Sequence, residues 1–210
     1  MIDVGQGLSA LIRTHSHVLV FDTGPRYKDF FDSGETILLP MMEFFHIRHI
    51  DTLVVSHGDM DHIGGSATLI KMLPIDRIIT SVPERFGVPS ISVIACSAGQ
   101  AWFWDGVRFE VLYPPVASFF KGNNGTCVLK LSTSTKSLLL TGDIEKEGEV
   151  VLLSSPEKLT ADVLVAPHHG SKTSSTEAFI DAVHPKVALF PVGYRNQYHL
   201  PSPIIVKRYQ

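Results

Sequence analysis

The chain has 210 residues, 44% of them apolar and 19% charged, with a formal net charge of −3. That length allows a substantial core, the composition is that of an ordinary globular protein, and the slight acidity excludes a protein that wraps duplex DNA by charge alone. No run approaches the ~20 apolar residues that span a bilayer, and no basic-then-apolar leader opens the chain.

Residues 8–14 and 18–22 are apolar-rich runs on either side of His15-Ser16-His17 and predict a hairpin. Apolar spacing predicts a helix over 36–46, and the near-continuous run DTLVVS at 51–56 predicts a buried strand. A helix over 65–73 ends at Pro74, which cannot continue it. Strands follow at 77–82 and 107–113; Trp102 and Trp104 alternate on another and face the same side, as packing residues. Residues 126–132 and 137–141 predict a second hairpin, 162–166 and 187–192 two more strands, and 176–183 a helix that stops before Pro185. Cys96 and Cys127 have no CxxC spacing. They read as two buried small hydrophobes, with a single bridge as the alternative. There is no repeat or low-complexity tract, so residues 1–210 read as a single α/β domain, two sheets with helices outside. A strand directly after Met1 and a helix cut short after Pro203 predict a segment of a longer protein.

Residues 56–65 carry the strongest chemical signal. Four ligand-type side chains, His57, Asp59, Asp61 and His62, fall within six residues, after a buried strand and before a helix. A strand end places side chains firmly while leaving them accessible. Two imidazoles and two carboxylates suit borderline or hard divalent ions. A loop that only caps the next helix explains one or two of these residues, not four. Leu140-Thr141-Gly142-Asp143 ends another apolar strand in a carboxylate, and Pro167-His168-His169-Gly170-Ser171 follows a third. The aspartate alone reads as a turn former, but three strands ending in ligand-type side chains make a constellation. One of His168 and His169 then binds a given ion while the other orients a ligand or meets substrate. Paired ions lower the pKa of a shared water and neutralise charge on a phosphoryl or carbonyl oxygen, the chemistry of hydrolysis.

The first cluster resembles the HxHxDH motif of the metallo-β-lactamase fold, with Asp59 in place of the second histidine. Asp3-Val4-Gly5-Gln6-Gly7, Phe21-Asp22-Thr23-Gly24-Pro25, Asn123-Asn124-Gly125-Thr126, Leu140-Thr141-Gly142-Asp143-Ile144 and Pro167-His168-His169-Gly170-Ser171 stand around it in order. Together they resemble the metallo-hydrolase domain of the ComEC family, membrane proteins of bacterial DNA uptake, over nearly the whole chain. The resemblance implies a metallo-β-lactamase-like four-layer αβ/βα sandwich with its site at one edge, between the sheets. It implies His57, Asp59, Asp61, His62, Asp143 and His168 as metal contacts, with Asp143 as the bridging carboxylate. Asp61, Asp143 and His168 are the implied catalytic residues, Asp61 as a ligand or as the base that orients water. His169, Asn124, Lys172, Asn196, His199, Asp3 and Gln6 are left to meet substrate or to buttress the ligands. Asp3 and Gln6 read as support for the ligands, and Asp22-Thr23-Gly24 as a turn more than as support.

Two departures bear on the metals. Many members of the wider fold supply a histidine where this chain has Asn123-Asn124, so one metal position is weakly held or uses an asparagine oxygen. With Asp59, this shifts the ligand set toward oxygen and admits Mn²⁺ beside Zn²⁺. In Asn196-Gln197-Tyr198-His199-Leu200-Pro201 the histidine stands one place earlier than the family pattern, and His199 either approaches substrate or packs at the surface. His15, His17, His46, His49 and His184 read as surface or packing residues. Lys121, Lys172 and Arg195 flank the candidate segments, to meet phosphates or only solvent.

The implied function is a metal-dependent nuclease, with two divalent ions, that degrades one DNA strand during uptake. The implied partners are single-stranded DNA, the membrane channel of the same parent protein and other uptake machinery. The implied location is the bacterial inner membrane, with this domain on the extracytoplasmic side. The rival readings are a hydrolase of another small substrate and a non-catalytic module that guides DNA.

Overall fold

Burial of apolar runs builds a first unit from Met1 to Ala95. Strands β1 (Ala10–Arg13) and β2 (Val18–Phe21) pair antiparallel, as the hairpin reading predicts. A small pair follows, β3 (Arg26–Tyr27) and β4 (Phe31–Asp32). The predicted 36–46 helix is a π-helical turn, Gly34–Leu38, that runs into α1 (Leu39–Phe44). Strand β5 (Ile50–Val55) lies parallel to β2. Helices α2 (Met60–Ile63) and α3 (Ser66–Met72) lead to β6 (Ile75–Thr80), and β7 (Ser92–Ala95) completes the sheet β1-β2-β5-β6-β7. Leu53, Val54 and Val55 are all buried, as a parallel strand covered on both faces requires. Leu53 and Val55 share a core with Leu38, Met42, Leu69 and Ile78.

The second unit runs from Cys96 to Gln210. Strands β8 (Ala101–Trp104) and β9 (Val107–Tyr113) form a hairpin through Asp105-Gly106, both at positive φ, the combination an Asp-Gly turn supplies. Trp102 stacks on Phe109 at 5.1 Å, so these tryptophans pack, as read. Then come β10 (Val128–Ser132), β11 (Ser137–Leu140), α4 (Lys146–Leu152), β12 (Val163–Val165), α5 (Glu177–Val183), β13 (Val187–Leu189) and α6 (Pro203–Arg208). The sheet order is β13-β12-β11-β10-β9-β8, parallel across β11, β12 and β13 and antiparallel elsewhere. Val128, Leu139, Leu164, Phe179 and Val183 form its core. The computed structural model describes residues 1–27, 30–116 and 118–210.

One expectation is corrected, and two elements are new. Cys96 and Cys127 form a disulfide, with Cα atoms 6.0 Å apart, instead of two separate buried thiols. They precede β8 and β10, which flank β9 and both run opposite to it, so the two strands start at the same end of the sheet. Helix α4 has no counterpart in the sequence reading, because Val150, Val151 and Leu152 are contiguous and give no helical period. Strand β7 is likewise unforeseen: polar Ser92 and small Ala95 leave Val93 and Ile94 too short an apolar run to read.

Candidate metal centre

In the first unit, the carboxyl ends of the parallel strands β2 and β5 deliver Asp22 and Ser56-His57. Asp22 is fully buried in the left-handed region, φ 56°, which aspartate tolerates better than most residues. Its Oδ1 accepts from the Ser56 N–H at 2.6 Å, and its Oδ2 from the Ser56 hydroxyl at 2.7 Å. The same Oδ2 lies 2.7 Å from His62 Nδ1. An ionised carboxylate only accepts, so His62 carries its proton on Nδ1 and keeps a lone pair on Nε2. Ser56 spends its single proton on Asp22. Its oxygen therefore accepts from His57 Nδ1, 3.0 Å away, and His57 too presents a lone pair at Nε2. One buried carboxylate thus decides the tautomer of both histidines, the device by which metal-binding imidazoles are oriented.

The two Nε2 atoms point toward carboxylates of their own loop. His57 Nε2 is 3.6 Å from Asp59 Oδ2, and His62 Nε2 is 3.9 Å from Asp61 Oδ2. Both imidazoles are buried; Asp59 is exposed and Asp61 half-buried. Acceptors brought this close repel unless a cation or proton lies with them, and an imidazole–carboxylate donor set fits a divalent ion. The opening motif supports the loop from behind. The Leu8 N–H donates to the Asp61 carbonyl at 3.1 Å, and a Cβ on Gly7, φ 140°, would collide with that carbonyl. Asp3 is exposed and accepts from the Gly5 N–H at 3.1 Å, a turn contact; half-buried Gln6 stands beside Gly7.

In the second unit, the adjacent ends of β11 and β12 deliver Asp143 and His168-His169. The His168 N–H donates to the Gly142 carbonyl at 3.2 Å and joins the two turns. His168, His169 and Gly170 all have positive φ, at 47°, 55° and 78°. His169 is buried, and its Nδ1 donates to the Pro191 carbonyl at 2.7 Å, so Nε2 keeps the lone pair and stands 3.3 Å from Asp143 Oδ2. His168 is more exposed. Its Nδ1 lies 3.0 Å from Thr173 Oγ1 and 3.2 Å from Glu145, and its Nε2 lies 3.4 Å from Asn123 Nδ2 and 3.8 Å from Asp143.

This histidine turn is held from several sides. The Ser174 hydroxyl donates to the Pro167 carbonyl at 2.9 Å. Buried Glu149 of α4 accepts from the N–H groups of Ser175 and Thr176 and from the Thr176 hydroxyl. Burial nevertheless pushes the Glu149 carboxyl above its usual value, against the pull of those donors. Arg208 and Tyr209, at the end of α6, reach Ser175 at 2.9 and 3.0 Å. Burial raises the Tyr209 hydroxyl to about 12, so it stays protonated and able to donate.

The other predicted residues fall into distinct places. The Asn124 side-chain oxygen accepts from the N–H groups of Glu145 and Gly148, each at 3.1 Å, and so caps α4; both bonds take it away from a metal. Asn196 holds the 193–200 turn, donating to the carbonyls of Gly193 and Leu200 and accepting from the Leu200 N–H. Lys172 and His199 are exposed. Asp22 is the residue the sequence undervalued: its signal was a carboxylate directly after an apolar strand, the same signal that singled out Asp143.

Comparison with known proteins shows the family. The profile described as "Metallo-beta-lactamase superfamily" matches residues 2–194. "Competence protein ComA" of Neisseria gonorrhoeae is 38% identical over 98% of the chain and 28% of its own length. "Uncharacterized protein YcaI" of Escherichia coli is 36% identical over 100% of the chain and 27% of its own length. "ComE operon protein 3" of Bacillus subtilis is 32% identical over 100% of the chain and 30% of its own length. The chain therefore spans less than a third of each of these relatives. Among solved structures, CmlA, a diiron beta-hydroxylase from Streptomyces venezuelae, superposes with TM-score 0.64 at 14% identity, over 99% of this chain and 50% of its own. The metallo-beta-lactamase fold protein YhfI from Bacillus subtilis superposes with TM-score 0.62 at 12% identity, over 97% and 84%. These likenesses show the fold alone. The chain belongs to the metallo-beta-lactamase superfamily, as a domain with the metallo-β-lactamase fold that is homologous along its whole length to competence proteins of the ComEC family.

Proposed function

We propose that this domain is a metal-dependent phosphodiesterase that cleaves single-stranded DNA during DNA uptake. The observation that carries the reading is the tautomer-locked donor set of His57 and His62 in a chain whose full-length homologues include proteins named for competence. His57, Asp59, Asp61 and His62 are the metal-binding residues of the first unit. Asp143 and His169 are those of the second, His169 ahead of His168 because it is buried and its Nδ1 is committed to Pro191. Divalent ions, Zn²⁺ or Mn²⁺, supply an acidified water and neutralise charge on the phosphoryl oxygens when bound. The residues of the chain orient these donors, and half-buried Asp61 is placed to hold or accept the proton of the attacking water. His168, tied to Thr173 and Glu145, is left to meet the substrate. The Cys96–Cys127 disulfide supports the extracytoplasmic side of a membrane-bound parent, because such bonds persist in oxidising compartments. Among the described residues no helix is long and apolar enough to cross a membrane, so anchoring and the transport channel fall to the rest of the parent.

Incubation of the chain with single-stranded DNA and Mn²⁺ or Zn²⁺ tests this. Cleavage is expected that EDTA stops and His57→Ala abolishes, with His169→Ala more damaging than His168→Ala to metal content. Bound metal without cleavage of any DNA would refute the nuclease reading and leave the metal centre standing.

A further inference from the structure

The second unit carries an exposed aromatic turn that nothing in the metal chemistry uses. Tyr194 is 89% and Tyr198 60% exposed, among the largest apolar exposures of the described residues. The Arg195 guanidinium lies 5.2 Å from the centre of the Tyr194 ring, a cation–π pair that leaves the other ring face open. The turn is not loose. Asn196 bonds to the carbonyls of Gly193 and Leu200 and to the Leu200 N–H, and the His199 N–H donates back to the Asn196 carbonyl at 3.2 Å. Two large rings are thus displayed to water on a braced turn, where burying them would be favourable.

Both stems of the turn are fastened to the histidine turn. The Pro191 carbonyl accepts a hydrogen bond from His169 Nδ1 on one side. On the other, the Ser202 N–H donates to the Gly170 carbonyl at 2.9 Å. Gly170 itself lies so close to Phe190 and Pro201 that a Cβ would meet each at 2.7 Å. Residues 167–176 and 191–202 contain Lys172 and Arg195 and no aspartate or glutamate, in a chain of net charge −3. The carboxylates that reach these turns are engaged there: Asp143 lies against His169 and His168, Glu145 against His168, and Glu149 accepts from Ser175 and Thr176. A rigid turn with open aromatic faces and a local cation, fixed to a candidate catalytic histidine, has the makings of a single-strand binding surface: bases stack on rings and phosphates meet the guanidinium.

We propose that residues 193–200 form a base-stacking platform for single-stranded nucleic acid, with Tyr194 and Tyr198 taking bases and Arg195 and Lys172 taking phosphates. The proposal rests on the nuclease reading for the identity of the ligand. It adds the residues that hold the strand to those that cut it.

Fluorescence anisotropy tests it with labelled oligo(dT) of about 15 nucleotides, a length that covers a single-strand site, with EDTA present so that no cleavage intervenes. An abasic oligomer of equal length serves as comparison, and metal-dependent cleavage is measured in parallel. Tyr194→Ala and Tyr198→Ala are each expected to weaken oligo(dT) binding about fivefold or more while leaving the abasic oligomer unaffected. Arg195→Ala is expected to weaken both and to lower the salt dependence. Unchanged oligo(dT) affinity in both tyrosine variants, or equal loss on both oligomers, overturns the platform even if cleavage continues, in which case the nuclease reading stands. Absence of oligo(dT) binding by the unaltered chain also overturns it, and the cleavage arm then decides the nuclease reading separately. Tyr194→Ser, with its unfolding midpoint compared with that of the unaltered chain, controls for misfolding.

Discussion

Asp22 accepts three hydrogen bonds and through them selects which nitrogen keeps its lone pair on two histidines. Asp22→Asn places an amide NH₂ against a donor whichever way the amide is turned, the Ser56 N–H on one side or the Ser56 hydroxyl and His62 Nδ1–H on the other. A buried donor left facing a donor costs about 1–3 kcal/mol. Losing the orienting carboxylate lowers metal affinity roughly 10–100-fold. Calorimetric titration with Zn²⁺ or Mn²⁺ checks this, and unchanged affinity in Asp22→Asn would show that the tautomers are set elsewhere. The sequence named His57, Asp59, Asp61 and His62 because they fall within six residues. It read Asp22 as a turn because its partners, Ser56 and His62, lie 34 and 40 residues away. Asn124 was weighed as a metal donor or as support, and its side-chain oxygen serves a helix that the sequence did not announce.

Strands begin as well as end in structured places. Asp162, just before β12, receives the Lys186 ammonium at 2.7 Å and the Ser137 N–H at 2.8 Å, tying the starts of β11, β12 and β13 together. Those donors, Lys186 first, hold its carboxyl down at about 2. A carboxyl lowered by folding contributes stability above its unfolded pKa of ~3.9 and loses that contribution as pH falls toward its folded value. The unfolding midpoint of the unaltered chain is therefore expected to fall toward that of Asp162→Asn between about pH 4 and pH 2. Circular dichroism melts across that range measure it, and a constant gap would mean that the carboxylate's charge contributes nothing. At this scale the sequence was most legible where apolar runs are long, as in β5, β9 and β10. It was least legible in β3, β4 and β7, which hold 2, 2 and 4 residues, too few to show a period.

For the whole chain, metal binding and folding are linked, because the unfolded chain has no assembled donor set. A divalent ion at 100 times its dissociation constant stabilises by about 2.7 kcal/mol, which for a domain of this size raises the unfolding midpoint by roughly 5–10 °C. Differential scanning calorimetry with and without Mn²⁺ or Zn²⁺ reads this directly. The shift is expected to vanish in His57→Ala, and its persistence there would place the stabilising ion at other residues. The fold was legible from the order of short motifs, each weak by itself. The disulfide was not, since the cysteines come together through strand order alone.

Asp59 stands exposed on a loop, beyond the last buried residue of β5. Its carboxylate lies 3.6 Å from the Nε2 of buried His57, so a change of residue here is felt first in the donor set. With Asp59 as a metal donor, as proposed, the exchange of histidine for aspartate here changes the hardness of the site in a single step.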